Sequence, residues 1–205
     1  TVIDGYAELL ACDSDDIDVQ VVADSIREQA GNLESISERA AVIRRLIKLL
    51  ESDEDPVQMP LGKTASTVEH YRSKYADVEV ELTIEANTSS AIEYGGVFEV
   101  ALKELIENAI KHNDQAKPQV AVTVATAEEG DRAVVTVADN GPQIPQATWE
   151  IIKSGQETPL RHTEGIGLWV IYWSISTLGG TIELTPNKPR GNKITVEIPL
   201  VESPN

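Results

Sequence analysis

Glu104 to Asn113 reads ELIENAIKHN. Leu105, Ile106, Ala109 and Ile110 recur at the spacing of one helical face, which predicts an amphipathic helix inside a longer one over 97–112. Asn108 stands one turn after Glu104 and Lys111 about one turn further, so a carboxylate, an amide and a cation share another face. A solvated helix face would account for Glu104 and Lys111 taken singly. Oxygen ligands beside a cation are also what Mg²⁺ and a triphosphate ask of a protein, because Mg²⁺ favours hard oxygen donors and keeps several waters.

Outward from that helix the pattern mixes two periods. Upstream, the spacing predicts a helix over about 64–75, and strict alternation predicts a strand over DVEVELTIEA, Asp77 to Ala86. Downstream, PQVAVTVATAE and RAVVTVAD read as strands joined around EGD in a hairpin. An irregular segment follows from about Asn140 to Glu164, then a helix over about 165–178, then GTIELTP and NKITVEIPL as two last strands. Hairpin-paired strands with helices between them argue an α+β fold, a two-layer sandwich with a mixed sheet and helices on one face, and against a doubly wound parallel sheet.

The first 55 residues differ. From Ile17 to about Glu51 apolar residues return at helical spacing without a proline, preceded by a shorter helical piece and the polar break DSDD at Asp13 to Asp16. Two helices joined by a tight turn make an antiparallel hairpin, which cannot bury both apolar faces alone and is expected to dimerise. ESDEDP, Glu51 to Pro56, combines a charge run with a proline and reads as the linker. The expected domains are therefore 1–55 and 56–205.

Composition narrows the function classes. The chain has 205 residues, 41% apolar and 25% charged, which is ordinary globular usage. Thirty-four acidic residues against 17 basic give a formal charge of −17, spread along the chain, which disfavours nucleic-acid binding and suits a protein kept soluble in high salt, as in a halophilic archaeon. One cysteine and three scattered histidines form no zinc pattern. No apolar run is long enough to span a bilayer, so the expectation is a cytoplasmic chain without a membrane span.

Three further stretches carry candidate chemistry. GKT at Gly62 to Thr64 lacks the glycine a P-loop needs at position 57, which is Val57, and reads as a helix start. ADNGPQIP, Ala138 to Pro145, ends a strand; it reads as a turn, or as a fixed acceptor at Asp139 with Gly141 admitting a flat ligand close to the backbone. TEGIGLW places Gly165 and Gly167 where an apolar helix begins, which reads as a flexible loop or as bare N–H groups open to phosphate.

Taken in order, E-x-x-x-N-A-x-K-H-N, then D-x-G after a strand, then G-x-G-L before a helix, resemble the N, G1 and G2 boxes of the GHKL ATP-binding superfamily, the catalytic domain of sensor histidine kinases. GGTIEL with the closing ITVEIPL is similar to that domain's end, so the resemblance covers about 56–205. It implies a Bergerat-type fold binding ATP with Mg²⁺. It assigns Asn108 to the metal, Glu104 as the acidic partner, and Lys111 and His112 to phosphate. Asp139 would take the adenine amino group with Gly141 beside the ring, Gly165, Gly167 and Leu168 would line the phosphate side, and Gln146 to Glu164 would form a lid. Three positions depart from the boxes: Gln143 and Thr163 where glycines are usual, and Asn192 where a threonine is common.

TVIDGYAELL resembles the residues that follow the phosphoacceptor box of a kinase dimerisation helix, which would put that histidine upstream of Thr1. His70, His112 and His162 have the wrong surroundings for it. The implied partners are a second copy of the chain, through the hairpin, and a response-regulator receiver domain. A GHKL ATPase using Glu104 to activate water, and a non-catalytic nucleotide-binding scaffold, remain alternative readings of the same residues.

Overall fold

The computed structural model describes residues 56–154 and 166–201, with isolated positions between 40 and 51. Two compact units divide the chain, Thr1–Arg44 and Arg45–Asn205. The predicted hairpin lies outside the described residues except near its end, where Ala40, Ala41, Ile43, Arg44, Ile47 and Lys48 are helical. The stretch 155–165, with Gly165 in it, also lies outside them.

The elements of the second unit run in chain order β1 (Met59–Pro60), a 3₁₀ turn (Leu61–Lys63), α1 (Thr64–Lys74), β2 (Glu79–Ile84), β3 (Ala91–Ile92), α2 (Gly95–Lys111), β4 (Gln119–Thr126), β5 (Arg132–Asp139), α3 (Gln146–Ser154), α4 (Ile166–Thr177), β6 (Thr181–Pro186) and β7 (Asn192–Pro199). Five strands form one sheet in the order β2-β4-β5-β7-β6. β2 and β4 are parallel and the other three pairs antiparallel, so the sheet is mixed as expected. β1 and β3 form a separate two-stranded ribbon.

Alternation within the strands decides which face is covered. Val80, Val120, Val122, Val124, Ala133, Val135, Val137, Ile182, Ile194, Val196 and Ile198 are buried, and Val122 lies opposite Val137 and Val135 opposite Val196 in register. Phe98, Leu102, Leu105 and Ile106 of α2 and Ile171 and Ile175 of α4 join them in one core. Each such side chain removed from water contributes about 1.5–3 kcal/mol before the entropy of ordering it is subtracted. On the opposite face Glu79, Glu81, Thr83, Ala121 and Lys193 are exposed.

The segment 140–164 corrects the expectation of an irregular lid, because Gln146–Ser154 is a helix. Trp149 and Ile152, three residues apart, are 3% and 2% exposed, and the amides of Thr148 and Trp149 donate to Pro145 O at 3.0 and 3.2 Å. Burial of that pair outweighs the turn-forming residues just upstream. GKT behaves as read: Leu61–Lys63 is a 3₁₀ turn entering α1, and the Gly62 amide donates to Thr88 O at 3.2 Å.

Candidate functional site

α2 and the residues just after it are the base of the site because Gly167 and Gly141 both pack there. Over the last two turns of α2, Gly167, the second residue of α4, packs directly on Asn108 and Glu104. A Cβ at 167 would lie 2.9 Å from Asn108 Nδ2, 3.0 Å from its Oδ1 and 3.2 Å from Glu104 Oε2. Glycine is what lets α4 approach the two polar side chains. The Asn108 Nδ2 atom is buried with no hydrogen-bond partner among the described residues. A buried amide lacking a partner costs roughly 1–3 kcal/mol, so this amide calls for a partner that the described residues do not supply.

Beyond the end of α2, Asn113 meets the other loop. A Cβ at Gly141 would lie 3.3 Å from Asn113 Cα and 3.2 Å from Asp139 Oδ1. Asn113 Nδ2 donates to Asn140 Oδ1 at 2.8 Å, and Asn140 Oδ1 also accepts from the Gln119 amide at 3.0 Å. Asp139 closes β5 with its carboxylate fixed from several sides. Oδ1 accepts from the Gly141 amide at 2.8 Å and the Asn192 amide at 3.3 Å, and Asn192 Nδ2 lies 3.3 and 3.1 Å from the two carboxylate oxygens. Burial pushes the Asp139 carboxyl above its ordinary range, and the Gly141 and Asn192 donors pull against that without cancelling it.

Asn192, 6% exposed, is the residue sequence reasoning treated only as a departure. Its Nδ2 also donates to Pro142 O at 2.8 Å, and its Oδ1 accepts from the Ile144 amide at 2.8 Å. One side chain therefore holds both the carboxylate and the loop that leads to α3. The available signal was phase: Asn192 falls in step with Ile194, Val196 and Ile198 on the buried side of β7. Asn187 adds a tie from Nδ2 to Asp139 O at 2.8 Å.

The remaining predicted residues fall in different places. Lys111 is half exposed and makes an ion pair of 2.7 Å with Glu107, a residue the sequence reading passed over. His112 is the exposed residue after α2. Leu168 is 7% exposed and belongs to the core that seats α4. Gln143 is exposed. The structure thus brings Glu104, Asn108 and Gly167 together at one end, and Asp139, Gly141, Asn113 and Asn192 at the other, with the last turns of α2 between them. Among the described residues no helix is long and apolar enough to cross a membrane, and no cluster of three His, Cys, Asp or Glu residues is placed to hold a metal.

Known proteins match this arrangement. The sequence profile of the histidine kinase-, DNA gyrase B-, and HSP90-like ATPases matches residues 97–202. Sensor protein KdpD of Mycobacterium tuberculosis is 27% identical over 205 aligned residues, covering 96% of this chain and 22% of that protein. Sensor histidine kinase DpiB of Escherichia coli is 32% identical over 111 residues, 51% of this chain and 20% of that protein. The chain thus spans about a fifth of the length of these relatives. Among solved structures, the catalytic domain of histidine kinase ThkA superposes with a TM-score of 0.59 at 20% identity, covering 74% of this chain and all of that one. With its profile matched over α2 to β7, and with Gly167 and Gly141 packed on Asn108 and Asn113, the chain belongs to the histidine kinase-, DNA gyrase B-, and HSP90-like ATPase family, whose domain implies ATP binding.

Proposed function

We propose that residues 56–205 bind ATP with Mg²⁺ as the catalytic core of a sensor histidine kinase, delivering the γ-phosphoryl group to a histidine upstream of Thr1 and from there to a response-regulator aspartate. The observation that carries the reading is the packing of Gly167 on Asn108 and Glu104, together with the partly buried Asp139 carboxylate fixed by Gly141 and Asn192. The names of the curated relatives, a sensor protein and a sensor histidine kinase, point the same way.

Asp139 binds the adenine end: its carboxylate accepts from the exocyclic amine while Gly141 leaves room for the ring. Asn108 and Glu104 offer an amide oxygen and a carboxylate one turn apart, hard donors that fit Mg²⁺, and Asn108 and its acidic neighbour would hold the ion. When bound, Mg²⁺ neutralises charge on the phosphates. The chain's own part is positioning, since phosphoryl transfer asks for little covalent chemistry from the protein. The γ-phosphorus gains a bond to a histidine nitrogen as its bond to the bridging oxygen breaks, and ADP leaves with that electron pair. Dimerisation through the hairpin expected over 1–55 would present the acceptor.

Titration calorimetry with Mg–ATP tests the site, and radiolabel transfer in a longer chain that restores the upstream residues tests the reaction. Label on histidine that disappears with Asn108→Ala is the expected result; ATP binding with no labelled histidine would sink the kinase reading. The position of Glu104 beside Asn108 favours a second reading, ATP hydrolysis with Glu104 activating water. Phosphate release without label transfer, abolished in Glu104→Gln, would select it.

A further inference from the structure

On the side of α2 that faces α1 lies a charge cluster that no sequence motif marked. Tyr71 of α1 is 3% exposed, and its hydroxyl donates to Glu107 Oε1 at 3.1 Å. Lys74 Nζ stands 3.5 Å from the same oxygen and lies over the rings of Tyr71 and Tyr75, 5.8 and 5.2 Å from their centroids. Glu107 Oε2 takes Lys111 at 2.7 Å. At 100° per residue the order around the helix is Glu107, Lys111, Glu104, Asn108. Lys111 therefore stands between a carboxylate held from α1 and the Asn108 face on which Gly167 packs.

We propose that Glu107 competes with the phosphates of a bound nucleotide for Lys111, and that Lys74 and Tyr71 set the balance by holding the Glu107 charge from α1. The inference rests on the ATP-binding reading above. A carboxylate with three donors can release one and keep two, so Lys111 can turn to an anion while Lys74 and the Tyr71 hydroxyl remain on Glu107. Without those two, Lys111 is the cation that Glu107 would hold hardest. Two ammonium groups and a hydroxyl converge on the Glu107 carboxylate, so the competition for Lys111 is one between anions. Burial, with Glu107 beside it, pushes the Tyr71 phenol upward, so it stays a proton donor.

The test is calorimetric titration of the chain, of Glu107→Gln, of Lys74→Met and of the double variant, with Mg–ATP and separately with adenosine. Partly exposed ion pairs are worth little, so the expected changes are small: Glu107→Gln tightens Mg–ATP by about two- to fivefold and Lys74→Met weakens it by about as much. In the Glu107→Gln background Lys74→Met changes nothing, and adenosine, which has no phosphate, binds equally to all four. Weaker or unchanged Mg–ATP binding by Glu107→Gln, or a Lys74→Met effect that survives in the double variant, overturns the proposal while leaving the ATP reading intact. Should Glu107→Gln fail to fold, unaltered Mg–ATP affinity in Lys74→Met, a change at a half-exposed side chain, overturns it alone. Failure of the unsubstituted chain to bind Mg–ATP overturns both.

Discussion

The two ends of the site are built on different principles. At the Asp139 end neutral amides do the holding: Asn192, Gly141 and Asn187 fix a partly buried carboxylate and its backbone, and the polar atoms find partners within the chain. At the Asn108 end the groups are charged and partly exposed, and a buried amide nitrogen is left over. The first end is held by hydrogen bonds already made within the chain, and should discriminate through geometry. The second is completed by what binds to it, and should respond to charge.

Substitutions can break that contrast, and the largest effect is expected at Asp139. Asp139→Asn exchanges an acceptor for an amide facing the Asn192 Nδ2 donor, so ATP affinity should fall by about 100-fold in calorimetry, the scale of one lost charge-assisted hydrogen bond. The same carboxyl supplies a pH signature. Because its pKa is raised by burial, ATP affinity should decline on acidification before an ordinary carboxylate would titrate. For stability the sign is opposite: the folded state holds this proton more tightly than the unfolded chain, whose carboxyl titrates near 3.8, so the group's contribution falls as pH rises through that interval.

Next comes Asn192→Leu, which removes donors to Asp139 and Pro142 O and the acceptor for Ile144. A loss of about 2 kcal/mol in urea unfolding is expected, and an unchanged midpoint would mean that the clamp is idle. Gly167→Ala pushes a methyl group onto Asn108 and Glu104. Because it meets side-chain ends that can turn aside, the fold should survive while Mg–ATP binding drops by about tenfold; equal loss of adenosine binding would erase the distinction between the two ends. Smallest is Arg190→Met, which cuts an exposed bidentate pair with Asp114 at 2.9 and 2.7 Å and should cost no more than about 1 kcal/mol.

Much of the second unit was legible because its elements are strongly periodic. ELIENAIKHN reads as an amphipathic helix on Leu105, Ile106, Ala109 and Ile110, and all four are buried. The β4–β5 and β6–β7 hairpins follow from alternation and short turns. What escaped was decided by few residues or by distant ones. α3 rests on Trp149 and Ile152 just after a run of turn formers, too weak a local pattern to outvote its neighbours. The Glu107 cluster joins residues 33 and 36 positions apart, and no local rule couples α1 to α2.

Sequence by itself determined the periods, and hence which side chains are apolar and inward, and it put Glu104, Asn108 and Lys111 on one helix, because helical and strand spacing are local properties of the backbone. Only the tertiary structure decided the strand order β2-β4-β5-β7-β6, the seating of Gly167 on Asn108, and the conversion of Asn192 from a departure into the clamp on Asp139. Those depend on which buried surfaces meet across the core, and a buried amide takes its role from the partner it finds there.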